Sequence, residues 1–290
     1  MLKIVVLLKQ TFDTEEKIIV TAGSVDDSAA KFIINPYDEY ALEEAIRLRD
    51  QHGGQVIAVT CGPERTQDAL RTALAVGADE AIRLDDDGSF GDDGYAAAAA
   101  LAALVKPLEP DLVLAGLFAV DSGAGSVALQ VAERLGLPHA SAAIKVSVIA
   151  AAERAGLRAA LNEVDIEAGR YALVERDVEG DTETVTIPLP ALITAQQGLN
   201  EPRYPSLPGI MKAKRKPLRT VSLSELAVNG PSTDAAAAAS LSPASDLSTR
   251  TVRTRLSAPP PRAAGKKLAG APAEQASALT ELLRTEAKLL

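Results

Sequence analysis

Four short stretches carry residues suited to holding a charged ligand: KQTFDT (9–14), NPYDEY (35–40), CGPE (61–64) and GLFAVDSGAGSV (116–127). The last is the most informative. Ser122, Gly123, Ala124, Gly125 and Ser126 are small and keep backbone amides accessible at the start of a helical pattern over 125–135. A helix N-terminus carries unsatisfied N–H donors and the positive end of the helix dipole, so phosphate binds well there. No Gly-Lys-Ser/Thr is present, so this is not a P-loop. Two readings stay open, an anion site or a flexible turn capping a helix. Asn35-Pro36 reads in the same double way: both are turn-formers, and Asp38 is a candidate helix cap.

Other chemistry is sparse. Cys61, the one cysteine, has no basic neighbour in sequence and reads as a small hydrophobe at a strand end. A single cysteine excludes an internal disulfide and fits a reducing compartment. His52 and His139 lack partners at metal-ligand spacing, so no metal site is implied. Asp85, Asp86 and Asp87 read as a solvated loop. No Ser-His-Asp set and no paired carboxylates stand out, so no catalytic residue is assigned.

The elements that must position these stretches alternate. KIVVLLK (3–9), QVIAVTC (55–61), AIRL (81–84) and DLVLAG (111–116) read as buried strands. Helical spacing covers 41–51, a segment from Pro63 to about Val76, and 94–105. Continuous apolar strands alternating with helices predict an α/β fold, a doubly wound and mostly parallel Rossmann-like sheet covered on both faces. Ligands then bind beyond the carboxyl ends of the strands, where all four stretches fall. Segments 141–150, 157–166, 169–178 and 183–194 are strand-like and separated by turn signals. They predict an antiparallel or mixed extension of the same sheet.

At 290 residues with 47% hydrophobic content, the chain can bury an ordinary core, although aromatics are only 3% and tryptophan is absent. A net charge of −9 argues against general nucleic-acid binding. Nothing approaches a bilayer-spanning apolar run or a signal peptide, so the expectation is a cytoplasmic protein. Residues 1–228 read as the α/β domain. Residues 229–263, rich in Ala, Ser and Pro, read as a linker. Residues 264–290 regain helical periodicity, and a lone helix of that length needs a surface to dock on.

One stretch resists both helix and strand. LNEPRYPSLPGIMKAKRKP (199–217) has four prolines and a basic end. Pro202, Pro205 and Pro208 forbid one continuous helix and a central strand. It reads as a stiff, exposed loop ending in a basic turn. From these residues alone Leu207 reads as a local core residue, and the cluster Lys212, Lys214, Arg215 and Lys216 as a solvated turn.

The loop, with NPYDEYALEEAIRLRD (35–50), VIAVTCGPERTQDALRTALAVGADEAIRL (56–84) and DLVLAGLFAVDSG (111–123), resembles the β subunits of electron transfer flavoproteins, relatives of the FixA proteins. The resemblance covers roughly residues 1–220. It implies a heterodimer whose α subunit holds the redox FAD. The β subunit would hold AMP structurally or, in electron-bifurcating members, a second FAD that oxidises NADH. Carried onto this chain, the nucleotide site is Leu7, Asn35, Pro36, Tyr37, Asp38, Cys61, and the run from Gly116 through Asp121, Ser122, Gly123, Ala124, Gly125 and Ser126 to Val127. The amides of 123–127 would take the phosphate. Thr14 and Tyr37 would approach the α-subunit flavin, and Asp177 would lie at the subunit interface.

The same resemblance makes 199–217 a recognition arm. Leu207 would insert into an apolar pocket on an acyl-CoA or related dehydrogenase, with Glu201, Pro202, Arg203, Tyr204, Pro208, Ile210, Met211 and Lys212 around it. Electrons would pass on to a quinone oxidoreductase or another acceptor. The C-terminal helix would pack on the α subunit. The chain departs from the family pattern at Phe118, where glutamine is usual, and at Ser122-Gly123-Ala124, where an acidic pattern commonly follows Asp121. Both departures fall inside the nucleotide site. A stand-alone nucleotide-binding module is the remaining alternative.

Overall fold

Each core strand alternates apolar side chains between two helical layers. The computed structural model describes residues 1–21, 23–152, 168–228, 247–262 and 264–289. Strand β1 (Leu2–Leu7) places Leu2, Ile4 and Val6 in one core and Val5 and Leu7 in the other. After it come β2 (Gln10–Phe12), β3 (Ile19–Thr21), β4 (Ser24–Asp26) and β5 (Phe32–Ile34). The doubly wound part follows as α1 (Pro36–His52), β6 (Gly54–Gly62), α2 (Gln67–Val76), β7 (Glu80–Asp85), α3 (Gly94–Val105), β8 (Leu112–Gly116) and α4 (Val127–Leu135). The chain continues through β9 (His139–Ala150), β10 (Arg170–Val178), β11 (Asp181–Pro188), β12 (Ala191–Ala195), α5 (Leu207–Ala213), β13 (Leu218–Ser222) and α6 (Leu223–Val228), and later α7 (Pro272–Thr285).

The main sheet has nine strands in the order β11-β10-β9-β12-β8-β1-β6-β7-β13. From β9 to β13 every neighbouring pair is parallel. The ribbon β9-β10-β11 is antiparallel. This is the expected parallel sheet with an antiparallel extension, except that 183–194, expected as one strand, forms two: β11 in the antiparallel ribbon and β12 in the parallel sheet between β9 and β8. Leu42, Ile46, Leu70 and Leu74 from α1 and α2 cover one face, and Leu101, Leu104 and Val131 from α3 and α4 the other. The alanine-rich α3 is packed rather than exposed, and Asp93 caps it by accepting from the Ala96 amide at 2.7 Å.

The order of addition matters for the site. The chain moves from β1 to β6 and β7, then returns to lay β8 on the other side of β1. The carboxyl ends of β1 and β8 therefore flank the point where winding reverses, the switch-point crevice at which doubly wound sheets bind ligands.

Several details differ from the sequence reading. Helix α1 begins at Pro36, not near residue 41, because proline is pre-set for the first helical position. Asn35 is then the N-cap and Asp38 lies one turn inside, so Asp38 is not the cap. Pro63 precedes a short 3-10 turn, and α2 starts at Gln67. The three-residue strands β2 and β5, paired with the Phe12 and Phe32 rings 4.8 Å apart, are too short to show a period. The strand expected over 157–166 lies outside the described residues, as does 229–246 of the stretch read as linker. Residues 250–253 of that stretch are held at the start of α3. The amides of Arg250 and Thr251 donate to Asp93 Oδ2 at 2.8 and 2.6 Å, and Arg253 pairs with Asp92.

The described residues fall into two compact units. The larger holds Met1–Ile18 and Asp26–Thr254 and contains the nine-stranded sheet. The smaller holds Ile19–Val25 and Arg255–Leu290 and includes α7, none of whose residues is buried.

Candidate functional site

Asp38 organises the switch-point crevice. Its Oδ2 accepts from the Lys9 amide at 2.6 Å, just past β1. Its Oδ1 accepts from the Gly116 amide at 3.0 Å, at the end of β8, and from Asn35 Nδ2 at 3.1 Å. One buried carboxylate thus joins β1, α1 and β8. Burial pushes the carboxyl up to about 7, although the three donors and the Lys9 charge pull the other way. Gly116 is required here for space: a Cβ would stand 2.3 Å from Asp38 Oδ1 and 2.7 Å from Tyr37 Cβ.

Asn35 carries the network into the loop after β8. Its Nδ2 donates to the Phe118 carbonyl at 3.0 Å, and its Oδ1 accepts from the Val120 amide at 3.1 Å. The Ala119 amide donates to the Ala124 carbonyl at 3.0 Å, and Gly123, at φ +68°, donates to Ala119 at 2.8 Å. That closes a tight loop in which Asp121 through Ser126 are exposed. Helix α4 follows directly, and the Ser126 side chain makes no cap hydrogen bond to it. Lys9 Nζ reaches over the loop to Asp121 Oδ1 at 2.8 Å and Ser122 Oγ at 3.4 Å.

The expected site residues separate into groups. Asn35, Asp38, Gly116 and 118–124 form one bonded assembly. Tyr37 joins it through its ring, which packs on Phe118 with centroids 4.2 Å apart at 41°. The departure at Phe118 is thereby accommodated: its carbonyl holds Asn35 while its ring packs on Tyr37. Pro36 opens α1, and Val127 opens α4. Leu7 points into the core beneath the crevice. Cys61 is partly buried at the end of β6, and burial pushes its thiol up to about 12, so it behaves as a small hydrophobe. Thr14 is exposed in the turn after β2. Asp177 is exposed on β10, 3.4 Å from Gln196 Nε2. Lys9 belongs to the KQTFDT stretch, but its reach to Asp121 and Ser122, more than a hundred positions away, has no signal in the sequence.

The second surface is the stretch 199–217. Leu199 is buried, and Asn200 Nδ2 donates to the Tyr40 carbonyl at 3.0 Å and to Glu44 Oε2 at 3.1 Å. Arg203 forks onto the buried Glu43, with Nε to Oε2 at 2.7 Å and an Nη to Oε1 at 2.8 Å. Ser206 caps α5 by accepting from Gly209 at 3.1 Å. Gly209 is pressed against α2: a Cβ would meet the Ala75 carbonyl at 2.4 Å. Arg71 donates to the Ala213 carbonyl at 3.0 Å.

On this mount Tyr204, Leu207, Ile210 and Met211 face solvent, Leu207 at 80% exposure. Leu207 is therefore not a local core residue. The stretch is not all loop either, since a seven-residue helix starts at Leu207 itself. Pro208 is tolerated because it lies in the first turn, where N–H groups lack intrahelical acceptors. The basic cluster divides. Lys212, Lys214 and Arg215 are exposed. Lys216 instead donates to the Leu74 and Ala78 carbonyls at 3.0 and 2.6 Å, closing the C-terminal end of α2, and burial lowers its pKa.

Among the described residues no group of three His, Cys, Asp or Glu is placed to hold a metal ion. No described helix is long and apolar enough to cross a membrane.

The fold and crevice define a doubly wound α/β protein with its site at the switch point. The family model for the electron transfer flavoprotein domain matches residues 22–226. The chain is 45% identical over 286 residues, 98% of both chains, to the electron transfer flavoprotein subunit beta of Bacillus subtilis (strain 168). It is 39% identical to the subunit beta of Syntrophomonas wolfei, over 99% of this chain and 98% of the relative. With that of Methylophilus methylotrophus the identity is 33%, over 83% and 86%. The chain belongs to the electron transfer flavoprotein family, on its β-subunit side. The relatives' names are those of an electron-carrier subunit.

Proposed function

We propose that this chain pairs with an electron transfer flavoprotein α subunit, holds AMP in the switch-point crevice and presents Leu207 to partner dehydrogenases. The observation that carries the reading is Leu207, exposed on a helix start whose base is locked by the Arg203–Glu43 fork and the Gly209–Ala75 contact. A leucine left in water on a rigid mount is poised for burial elsewhere. Burying it contributes roughly 1.5–3 kcal/mol, enough to anchor an encounter and too little to trap it. The prolines and the fork lower the entropy lost on docking.

The crevice fits a mononucleotide phosphate. The small exposed run 122–126 leads into α4, and the Ser126 side chain leaves that helix's first-turn donors to an outside acceptor. Lys9 adds a cation at the rim. AMP there would supply charge and packing, not redox chemistry. The FAD that carries electrons would belong to the α subunit, with Thr14 and Tyr37 on the side facing it and Asp177 at the subunit contact. Helix α7, with no buried residue of its own, would dock on that subunit. Dehydrogenases of the acyl-CoA class would donate electrons, and a quinone oxidoreductase would accept them.

The test is stopped-flow reduction of the complex by an acyl-CoA dehydrogenase with its substrate. Leu207→Ala should slow reduction about tenfold or more, the worth of one buried leucine, with flavin content and melting temperature unchanged. An unchanged rate would refute the docking role.

A further inference from the structure

A cleft of about 240 Å³ opens at the root of the docking arm, between the start of α1, α2 and residues 202–205. This is below the roughly 300–1,000 Å³ of small-molecule sites, and it suits a single side chain. Its walls combine apolar surface from Ile34, Leu42 and Val76 with Glu39, Tyr40 and Tyr204.

The charges around it do not cancel. Arg203 and Glu43 line the cleft too, but the guanidinium is committed to Glu43 through both arms of its fork. Glu44, one position further along α1, has Arg47 at 3.6 Å and Asn200 at 3.1 Å. The Glu39 side chain has no hydrogen-bond or ion-pair partner among the described residues, and desolvation raises its pKa. Its place in the first turn of α1 is favoured by the helix dipole, but that leaves both carboxylate oxygens without a donor. A half-buried, unpartnered carboxylate beside two tyrosines and an apolar wall matches one kind of occupant. It has a long aliphatic stem and a compact cationic end.

We propose that the cleft receives a lysine side chain from the same partner protein that docks at Leu207. The arm then projects one apolar knob and, beside it, offers one hole for a basic residue. This rests on the docking reading and gives it a charge-specific half. The complementary partner surface is an apolar pocket with a lysine next to it. A carboxylate at the receiving end also steers the approach, so the contact weakens with added salt.

The experiment uses the intact complex with α subunit, labelled with ¹³C-tyrosine, with Tyr40→Phe and Tyr204→Phe to assign signals. The probe is N-acetyl-lysine methylamide, and N-acetyl-norleucine methylamide is the uncharged control. The lysine probe should shift Tyr40 and Tyr204 with saturation on the order of millimolar, and Glu39→Gln should weaken it about two- to fivefold, the worth of one cation–π or exposed ionic contact. In dehydrogenase kinetics Glu39→Gln should raise KM by a similar factor, flatten its salt dependence and leave kcat unchanged. Equal shifts from norleucine, or none from lysine, would overturn the proposal. The probe needs no dehydrogenase, so that failure is distinct from an unaffected Leu207→Ala rate, which would refute the docking reading instead.

Discussion

The crevice and the docking arm break the usual distribution of residues in opposite directions. Around Asp38 polar groups are buried and each is given a partner. Around Leu207 apolar groups are left in water and given none from this chain. Buried polar residues and exposed apolar ones are the informative exceptions in a folded protein. In the function proposed above, the first is a place that must hold its shape and the second a place that waits for another molecule. The arm borrows rigidity from the same helix that serves the crevice: α1 supplies Asn35 and Asp38 at its start and Glu43 and Glu44 one turn later.

The comparison is sharpest in stability. Asp38→Asn replaces an oxygen acceptor by an amide whose NH₂ must face the Lys9, Gly116 or Asn35 donors. It should destabilise the protein by about 1–3 kcal/mol for each orphaned group, read by chemical denaturation. Leu207→Ala should lie within about 0.5 kcal/mol of wild type in the same assay, as surface changes do. Equal costs would erase the distinction between the two regions.

Next in size is Arg203→Lys. Lysine keeps the charge but loses the fork onto buried Glu43. The expected loss is about 1–3 kcal/mol in the anchoring of the arm, seen as faster hydrogen exchange over 203–209 and slower electron transfer, with crevice protection unchanged.

The crevice side of the comparison also carries a pH dependence. The folded Asp38 carboxyl titrates near 7, against about 3.9 in an unfolded chain. Its contribution is therefore fully present below about pH 4 and lost as pH rises through about 7. Asp38→Asn lacks this titration, so the stability gap between wild type and variant should narrow from pH 5 to 8.

The parallel sheet and its antiparallel extension were legible in the chain. Apolar runs in β1, β6 and β8 declare buried strands, and proline spacing declares an arm that is neither one helix nor a strand. What stayed hidden depends on distance. The start of α1 at Pro36 moved the cap to Asn35 and freed Asp38 for the sheet, which local turn chemistry cannot foresee. Lys9 over Asp121, Lys216 on the end of α2, and Arg250 and Thr251 on Asp93 each join residues separated by a hundred positions or more. No local pattern signals such pairs.

The measurement closest to the central claim is nucleotide content. The chain is co-expressed with an electron transfer flavoprotein α subunit, and the purified complex is denatured and its released AMP and FAD quantified. One AMP and one FAD per heterodimer are expected. Two FAD and no AMP would contradict that and make this a bifurcating subunit, with bleaching by NADH the next observation.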